Sequence, residues 1–305
     1  MRILVTGVAG FVGHFLADEL NAAGHDVIGI DLALNNCPSV LKDALCSDLT
    51  SAQSVHDAVS SLQPEACIHL GGIASPPIGR TNPELMLNTN ILGTAHILEA
   101  LRTNAPKTRM LLASTSYVYG NSETEKPITE DAPLSPIDIY AVSKAAADMM
   151  TLAYARDYQM HTMTARVANH TGPGQSTDFV VPAFAHQIKA ISRGEQPASV
   201  RVGNLDSERT FMDVRDVVRA YRLLIERGER GLAYNVAATK RVSIRWILNA
   251  LCKAAGISPT IETDPERYRP TDRTPLLTSI RMFETTGWQP EIQFEKTLSD
   301  ILEQA

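Results

Sequence analysis

Short β-branched runs alternate with helical patterns over the first 167 residues, a glycine-spaced turn joins the first strand to the first helix, and the texture breaks after Thr171. Together these predict an α/β protein: a doubly wound parallel sheet of the Rossmann type with a smaller C-terminal α/β lobe. A chain of 305 residues with 44% apolar composition has ample material to bury such a core.

The order of elements follows from the pattern. A strand over 3–6 leads into a helix over 12–23; strands follow over 26–30, 66–70, 110–113 and 161–167, with helices over 88–103 and from Tyr140 onward. After Thr171, the breakers Gly172, Pro173, Gly174 and Pro182 interrupt the alternation. The segment 211–237 again reads as strand, helix and strand. We therefore expect a dinucleotide-binding domain over 1–170, with 211–237 returning to it, and a lobe made of 171–210 and 238–305.

Bulk properties narrow the partners. A net charge of −6 with scattered Lys and Arg argues against a surface built for nucleic acid. The four cysteines form no C-x-x-C pair and show no His clustering, so neither a disulfide framework nor a metal site is suggested. The N-terminus begins a strand at once, no run approaches the ~18 apolar residues of a membrane helix, and a cytoplasmic protein without a membrane partner is expected.

The strand over 3–6 runs into Gly7-x-x-Gly10-x-x-Gly13 and directly into a helix, the arrangement that lets backbone N–H groups meet a pyrophosphate. Asp31, at the end of the second strand, sits where a carboxylate would accept hydrogen bonds from an adenosine ribose. It would repel a 2′-phosphate, and Leu32 to Asn35 offer no cation to receive one, so NAD(H) is favoured, with NADP(H) kept as the alternative. Tyr140 and Lys144, four residues apart on a helix, share one face. The ammonium is expected to lower the phenol's pKa and make it a proton relay.

These motifs, with Cys46-Ser47-Asp48-Leu49, His69-Leu70-Gly71-Gly72-Ile73-Ala74, Asn90-Ile91-Leu92-Gly93-Thr94 and Tyr117-Val118-Tyr119-Gly120, resemble the extended short-chain dehydrogenase/reductase family over nearly the whole chain. The resemblance implies a cofactor held by Gly7, Gly10, Phe11, Val12, Gly13 and Asp31, with Asp48 and Leu49 beside the adenine and Leu70, Gly71, Gly72 and Ala74 below the nicotinamide ribose. Asn90, Ser114, Tyr140, Lys144 and Val167 complete that set. It further implies Thr115, Tyr140 and Lys144 as the catalytic group, Thr115 binding the oxygen that alternates between alcohol and ketone.

Relatives that also eliminate water carry an acid and a base beside that threonine, usually ending in Glu. Here the positions are Ser116 and Tyr117, which disfavours dehydration. No cysteine follows the serine, which disfavours the epimerase-reductase chemistry that uses one. Gly203-Asn204-Leu205-Asp206-x-x-Arg209 resembles the loop of enzymes that bind GDP-sugars. Arg209 and Arg269 are assigned to the diphosphate, and Thr115, Ser116 and Asn169 to the substrate. The resemblance thus implies an NAD(P)H-dependent reductase of a GDP-linked 4-keto-6-deoxy sugar, working as a homodimer through apolar helices over 88–103 and 141–158. A nucleotide-sugar 4-epimerase or another NAD-dependent sugar dehydrogenase of the same family, and a non-catalytic NAD-binding regulator, are the alternatives.

Overall fold

The computed structural model describes residues 1–121, 126–265 and 274–305. Its centre is a seven-stranded sheet built from β1 (Arg2–Thr6), β2 (Asp26–Asp31), β3 (Asp43–Cys46), β4 (Ala66–His69), β5 (Arg109–Thr115), β6 (Thr162–Val167) and β10 (Ala233–Val236). All neighbours run parallel in the order β10-β6-β5-β4-β1-β2-β3. The order reverses between β1 and β4, which opens a crevice at the C-terminal strand ends.

Both faces of this sheet are covered, and the strand residues show it. Ile3, Val5, Ala66, Ile68 and Leu111 face one apolar cluster, while Leu4, Ile28, Ile30, Cys67 and Met110 face the other. Period-2 alternation between two buried faces explains why these strands are apolar throughout. On the first face α1 (Phe11–Ala22) packs against α8 (Val214–Arg227). On the second, α2 (Ala52–Leu62) packs against α5 (Gly93–Asn104). Each buried Leu or Ile contributes roughly 1.5–3 kcal/mol before the cost of ordering it.

The helix expected over 88–103 is two pieces. Two short helices, α3 (Pro76–Thr81) and α4 (Pro83–Leu87), lead into a π-helical turn at Asn88–Leu92 before α5 begins. The extra residue in a π turn re-aims side chains, and here the turn carries Asn90. The helix expected from Tyr140 is α6 (Ile139–Asp157), capped by Asp138, whose carboxylate accepts from the Ala141 N–H at 2.7 Å.

Of the strand, helix and strand expected over 211–237, only the last strand enters the main sheet. The free edge of β6 is taken by β10, so β9 (Glu208–Asp213) lies beyond it and pairs with β7 (Asn169–Thr171) and β11 (Arg241–Ser243). A two-stranded pair, β8 (Ser199–Val202) with β12 (Thr260–Thr263), joins α7 (Val180–Ser192), α9 (Ile244–Ala255) and α11 (Phe294–Gln304). Around Phe184, Ile188, Ile247, Leu251 and Leu298 they form a third apolar cluster. Helix α10 (Ile280–Thr286) packs on β10 and α8. Among the described residues no helix is long and apolar enough to cross a membrane.

Candidate active site

The C-terminal ends of the strands open into a cleft of about 1290 Å³. At its floor the turn after β1 requires glycine. Gly7 has φ +70°, and a Cβ on it would lie 2.9 Å from the backbone of Gly71; one on Gly13 would lie 2.3 Å from the Val8 carbonyl oxygen. Helix α1 starts at Gly10 with no side-chain cap. Its first N–H groups are therefore left for a ligand, and Gly10, Phe11, Val12 and Gly13 line the cleft. That fits a pyrophosphate.

Asp31 stands beside this turn, its Oδ2 accepting from the Ala9 N–H at 2.9 Å and its Oδ1 from the Leu32 N–H at 2.7 Å. Each oxygen keeps a lone pair for a ribose hydroxyl. Changing Asp31 to Asn should lower the ratio of kcat/KM for NADH over NADPH about tenfold, because a hydrogen bond to a charged group is worth roughly 1.5–3 kcal/mol. An unaltered ratio would remove Asp31 as the discriminating group.

Asp48 and Leu49 also line the cleft, with the Asp48 carboxylate taken up by Thr50, whose N–H and hydroxyl both donate to Oδ1 at 2.8 Å. Leu70, Gly71, Gly72 and Ala74 line it below, and Ser114 and Val167 beside them. The Ser114 hydroxyl is buried and has no hydrogen-bond partner among the described residues. A buried polar atom left in this way marks a place for a ligand atom.

Thr115, Tyr140 and Lys144 meet in the same cleft. Thr115 ends β5, its Oγ1 accepting from the Tyr117 N–H at 3.3 Å, and its hydroxyl is hydrogen-bonded to the phenol oxygen of Tyr140. Tyr140 and Lys144 occupy the first turns of α6, and the Tyr117 ring meets the Tyr140 ring edge-on at 6.4 Å. The expected lowering of the Tyr140 pKa is overturned. Burial pushes the phenol up to about 12, against the opposing hydrogen bond from Thr115. Burial likewise pushes the Lys144 ammonium down to about 8, against the pull of Asp148. At Lys144 loss of water outweighs the neighbouring charge, and at Tyr140 the charges of Tyr117 and Asp138 push the same way as burial.

Asn90 and Ser116 do not line the cleft. Ser116 is 1% exposed behind Thr115, its hydroxyl unpartnered among the described residues. Asn90 works from behind: its Oδ1 accepts from the Ile73 N–H at 2.7 Å, and its Nδ2 donates to the Ile73 carbonyl at 3.0 Å and to the Ser143 Oγ at 2.9 Å. The Ser143 hydroxyl in turn donates to the Tyr140 carbonyl at 2.8 Å.

This bracket continues into a buried chain that pattern reading did not single out. The Thr6 Oγ1 accepts from the Gly71 N–H at 2.9 Å and, since the neutral His69 ring carries its proton on Nε2, donates to His69 Nδ1 at 2.6 Å. His69 Nε2–H then donates to the Thr94 Oγ1 at 3.1 Å, whose hydroxyl donates to the Asn90 carbonyl at 2.7 Å. Burial, with a smaller push from Lys144, holds the imidazole neutral at about 3. The glycine turn and the helix of Tyr140 are thereby tied through uncharged groups. The visible signal was His69 at a strand end; its partners lie 25 and 63 residues away.

On the lobe side Asn169 and Arg209 line the cleft, Asn169 on β7 and Arg209 on β9, and the Asn169 Nδ2 is buried with no partner among the described residues. His170 is half-buried, its pKa lowered by loss of water, with its ring nitrogen 3.2 Å from the Ala168 carbonyl oxygen. Arg269 lies outside the described residues. Arg201 and Phe179 line the cleft as well, and sequence reading passed over both.

Known proteins place this geometry in context. A family model described as GDP-mannose 4,6 dehydratase matches residues 4–301. The chain is 36% identical to GDP-6-deoxy-D-mannose reductase of Pseudomonas aeruginosa over 99% of its own length and 96% of that protein. It is 28% identical to UDP-glucose 4-epimerase of Mycolicibacterium smegmatis over 99% and 98%. Among solved structures, that of RMD from Pseudomonas aeruginosa complexed with NADPH superposes with a TM-score of 0.88 at 33% identity, covering 99% of this chain and 98% of that one. The NAD complex of Thermus thermophilus UDP-glucose 4-epimerase gives 0.89 at 27% identity, covering 100% and 98%. With the family model spanning nearly every residue and the glycine turn, Tyr140 and Lys144 gathered in one cleft, the chain belongs to the GDP-mannose 4,6-dehydratase family of extended short-chain dehydrogenase/reductases.

Proposed function

We propose that this protein is an NAD(P)H-dependent reductase that converts a nucleotide-linked 4-keto-6-deoxy sugar to its alcohol, with GDP-4-dehydro-6-deoxy-D-mannose as substrate and NADH as the preferred reductant. The observation that carries this reading is the meeting of Thr115, Tyr140 and Lys144 in one cleft, with Ser116 and Tyr117 where a dehydratase keeps its acid and base. The 36% identical Pseudomonas reductase supports the choice of substrate.

The cofactor supplies the hydride. This chain's own groups do the rest. The Thr115 hydroxyl orients the keto oxygen, and Tyr140 donates the proton that turns it into a hydroxyl. A phenol at about 12 holds its proton at neutral pH, which suits an acid in the reducing direction. Lys144 sits one turn further along α6, so its positive charge favours the phenolate left after proton transfer. The Asn169 amide and Arg209 hold the diphosphate, and Arg269 is assigned to the same group. The segments 171–210 and 238–305 form the sugar-nucleotide lobe, with 1–170 and 211–237 holding the cofactor.

Incubation with the GDP-linked 4-keto-6-deoxy sugar should consume NADH in step with substrate, read as falling absorbance at the reduced-nicotinamide band. If no NADH is oxidised while a nucleotide hexose is interconverted at C4, the protein is an epimerase. Bound cofactor without either activity would make it a regulator.

We also place a second copy of this chain on the apolar side of α4, the π turn and α6, where Leu85, Leu92, Val142 and Met149 are exposed. Sedimentation of a 33.2 kDa species at micromolar concentration would remove that assignment.

A further inference from the structure

Arg201 sits on β8 and lines the cleft on its lobe side. Both of its main-chain groups are already engaged by one side chain of α7. The Gln187 Oε1 accepts its N–H at 2.8 Å, and the Gln187 Nε2 donates to its carbonyl at 3.3 Å. On its other edge β8 pairs with β12, Arg201 opposite Glu262. The strand is thus fixed, and what Arg201 offers the cleft is its side chain. That guanidinium makes no ion pair or hydrogen bond among the described residues. Arg215, Arg219 and Arg222, by contrast, are each paired with carboxylates. An exposed cation held on a fixed strand at a ligand cleft, in no ion pair even with Glu262 opposite, is a donor fork kept for a ligand.

The topology says which part of the ligand it meets. Thr115 and Val167 are paired at the ends of β5 and β6. Asn169 follows on β7, which pairs with β9, the strand of Arg209. Arg201 belongs to neither of these sheets but to the separate pair of β8 with β12. A sugar at Thr115 and a diphosphate at Asn169 and Arg209 leave the base for the end where Arg201 stands. Phe179, at the N-terminus of α7 and 37% exposed, lines the same cleft and supplies an aromatic ring on which a base can stack.

Resting on the reading of this cleft as a nucleotide-sugar site, we propose that Arg201 is the residue that selects guanine, its guanidinium donating to O6 and N7 of the base. Guanine presents two acceptors side by side on that edge. Adenine sets an amino donor beside N7, and pyrimidines have no N7. A planar fork satisfies the first arrangement and mismatches the others.

The test is titration calorimetry on the full chain saturated with NADH, using GDP, UDP and 7-deaza-GDP. The unaltered protein should bind GDP roughly 10- to 100-fold more tightly than UDP, with 7-deaza-GDP weakened about tenfold, as loss of one arm of the fork requires. Arg201→Gln should bring GDP and 7-deaza-GDP to nearly the same affinity while changing UDP by less than about twofold, since an exposed charge alone contributes little. NADH affinity reports that the variant is folded. Equal losses for GDP and UDP would make Arg201 a phosphate ligand and overturn the proposal, as would an unchanged GDP affinity. GDP-selective binding that Arg201→Gln leaves intact overturns only the role of Arg201. A protein that binds neither nucleotide removes the sugar-nucleotide reading itself and this assignment with it.

Discussion

Tyr140→Phe is expected to lower kcat by about 10²–10⁴-fold, the range a positioned proton donor supplies, while leaving the Kd for NADH within a factor of about two. The change removes one oxygen. The ring stays in its edge-on contact with Tyr117, and the α6 cap at Asp138 and the Ser143 bond to the residue's carbonyl are untouched. What disappears is the hydroxyl that Thr115 holds and the proton that the new alcohol must receive. The remaining rate is what hydride proximity and Thr115 alone provide. Stopped-flow turnover beside fluorescence titration of NADH separates the two effects. A kcat within tenfold of the parent protein would take Tyr140 out of the chemistry.

The second large effect is on stability. Arg166 on β6 and Asp148 on α6 form a buried pair in which Nη2 meets Oδ1 at 2.8 Å and Nε meets Oδ2 at 3.1 Å, with side chains 5% and 0% exposed. The remaining Nη1 donates to the Tyr119 hydroxyl and to the Glu130 carbonyl, both at 2.9 Å. Arg166→Met leaves a fully enclosed carboxylate with no cation. Removing one partner of such a pair costs about 3–5 kcal/mol, which for a chain of this size lowers Tm on the order of 10 °C. Adding Asp148→Leu should recover much of that loss, because the double variant no longer buries a lone charge. Calorimetry showing a single-variant Tm within 2 °C or so of the parent would mean that Asp148 finds another partner on relaxation. Asp148 lies one turn beyond Lys144 and pulls its pKa upward, so the same variant also tests how far the pair sustains the charge in the cleft.

What could be seen in the sequence was whatever is encoded within one or two neighbouring elements. The β1 turn, its glycines and Asp31 lie within a single strand–helix–strand unit, and the Tyr140–Lys144 spacing is set by one helical turn. Those side chains do line one cleft. What escaped depends on distant partners. The π turn that aims Asn90 has no compositional mark, and the chain from Thr6 to Ser143 joins residues from β1, β4, α5 and α6. The placement of β9 was misjudged because which strand takes the free edge of β6 is decided by β10, over twenty residues later. The direction of the Tyr140 shift was misjudged for a related reason. Spacing reveals a neighbouring charge, whereas dehydration is a property of the closed fold.

The passage from β6 to β7 runs through Ala168 alone. Val167, assigned to the cofactor, and Asn169, proposed for the diphosphate, are therefore two residues apart, a span of about 7 Å in extended chain. No hinge can be inserted there. Under the proposed roles the backbone acts as a ruler between the cofactor and the diphosphate, so a sugar joined to its nucleotide by one phosphate or by three is expected to reach the wrong place, however well its base is held.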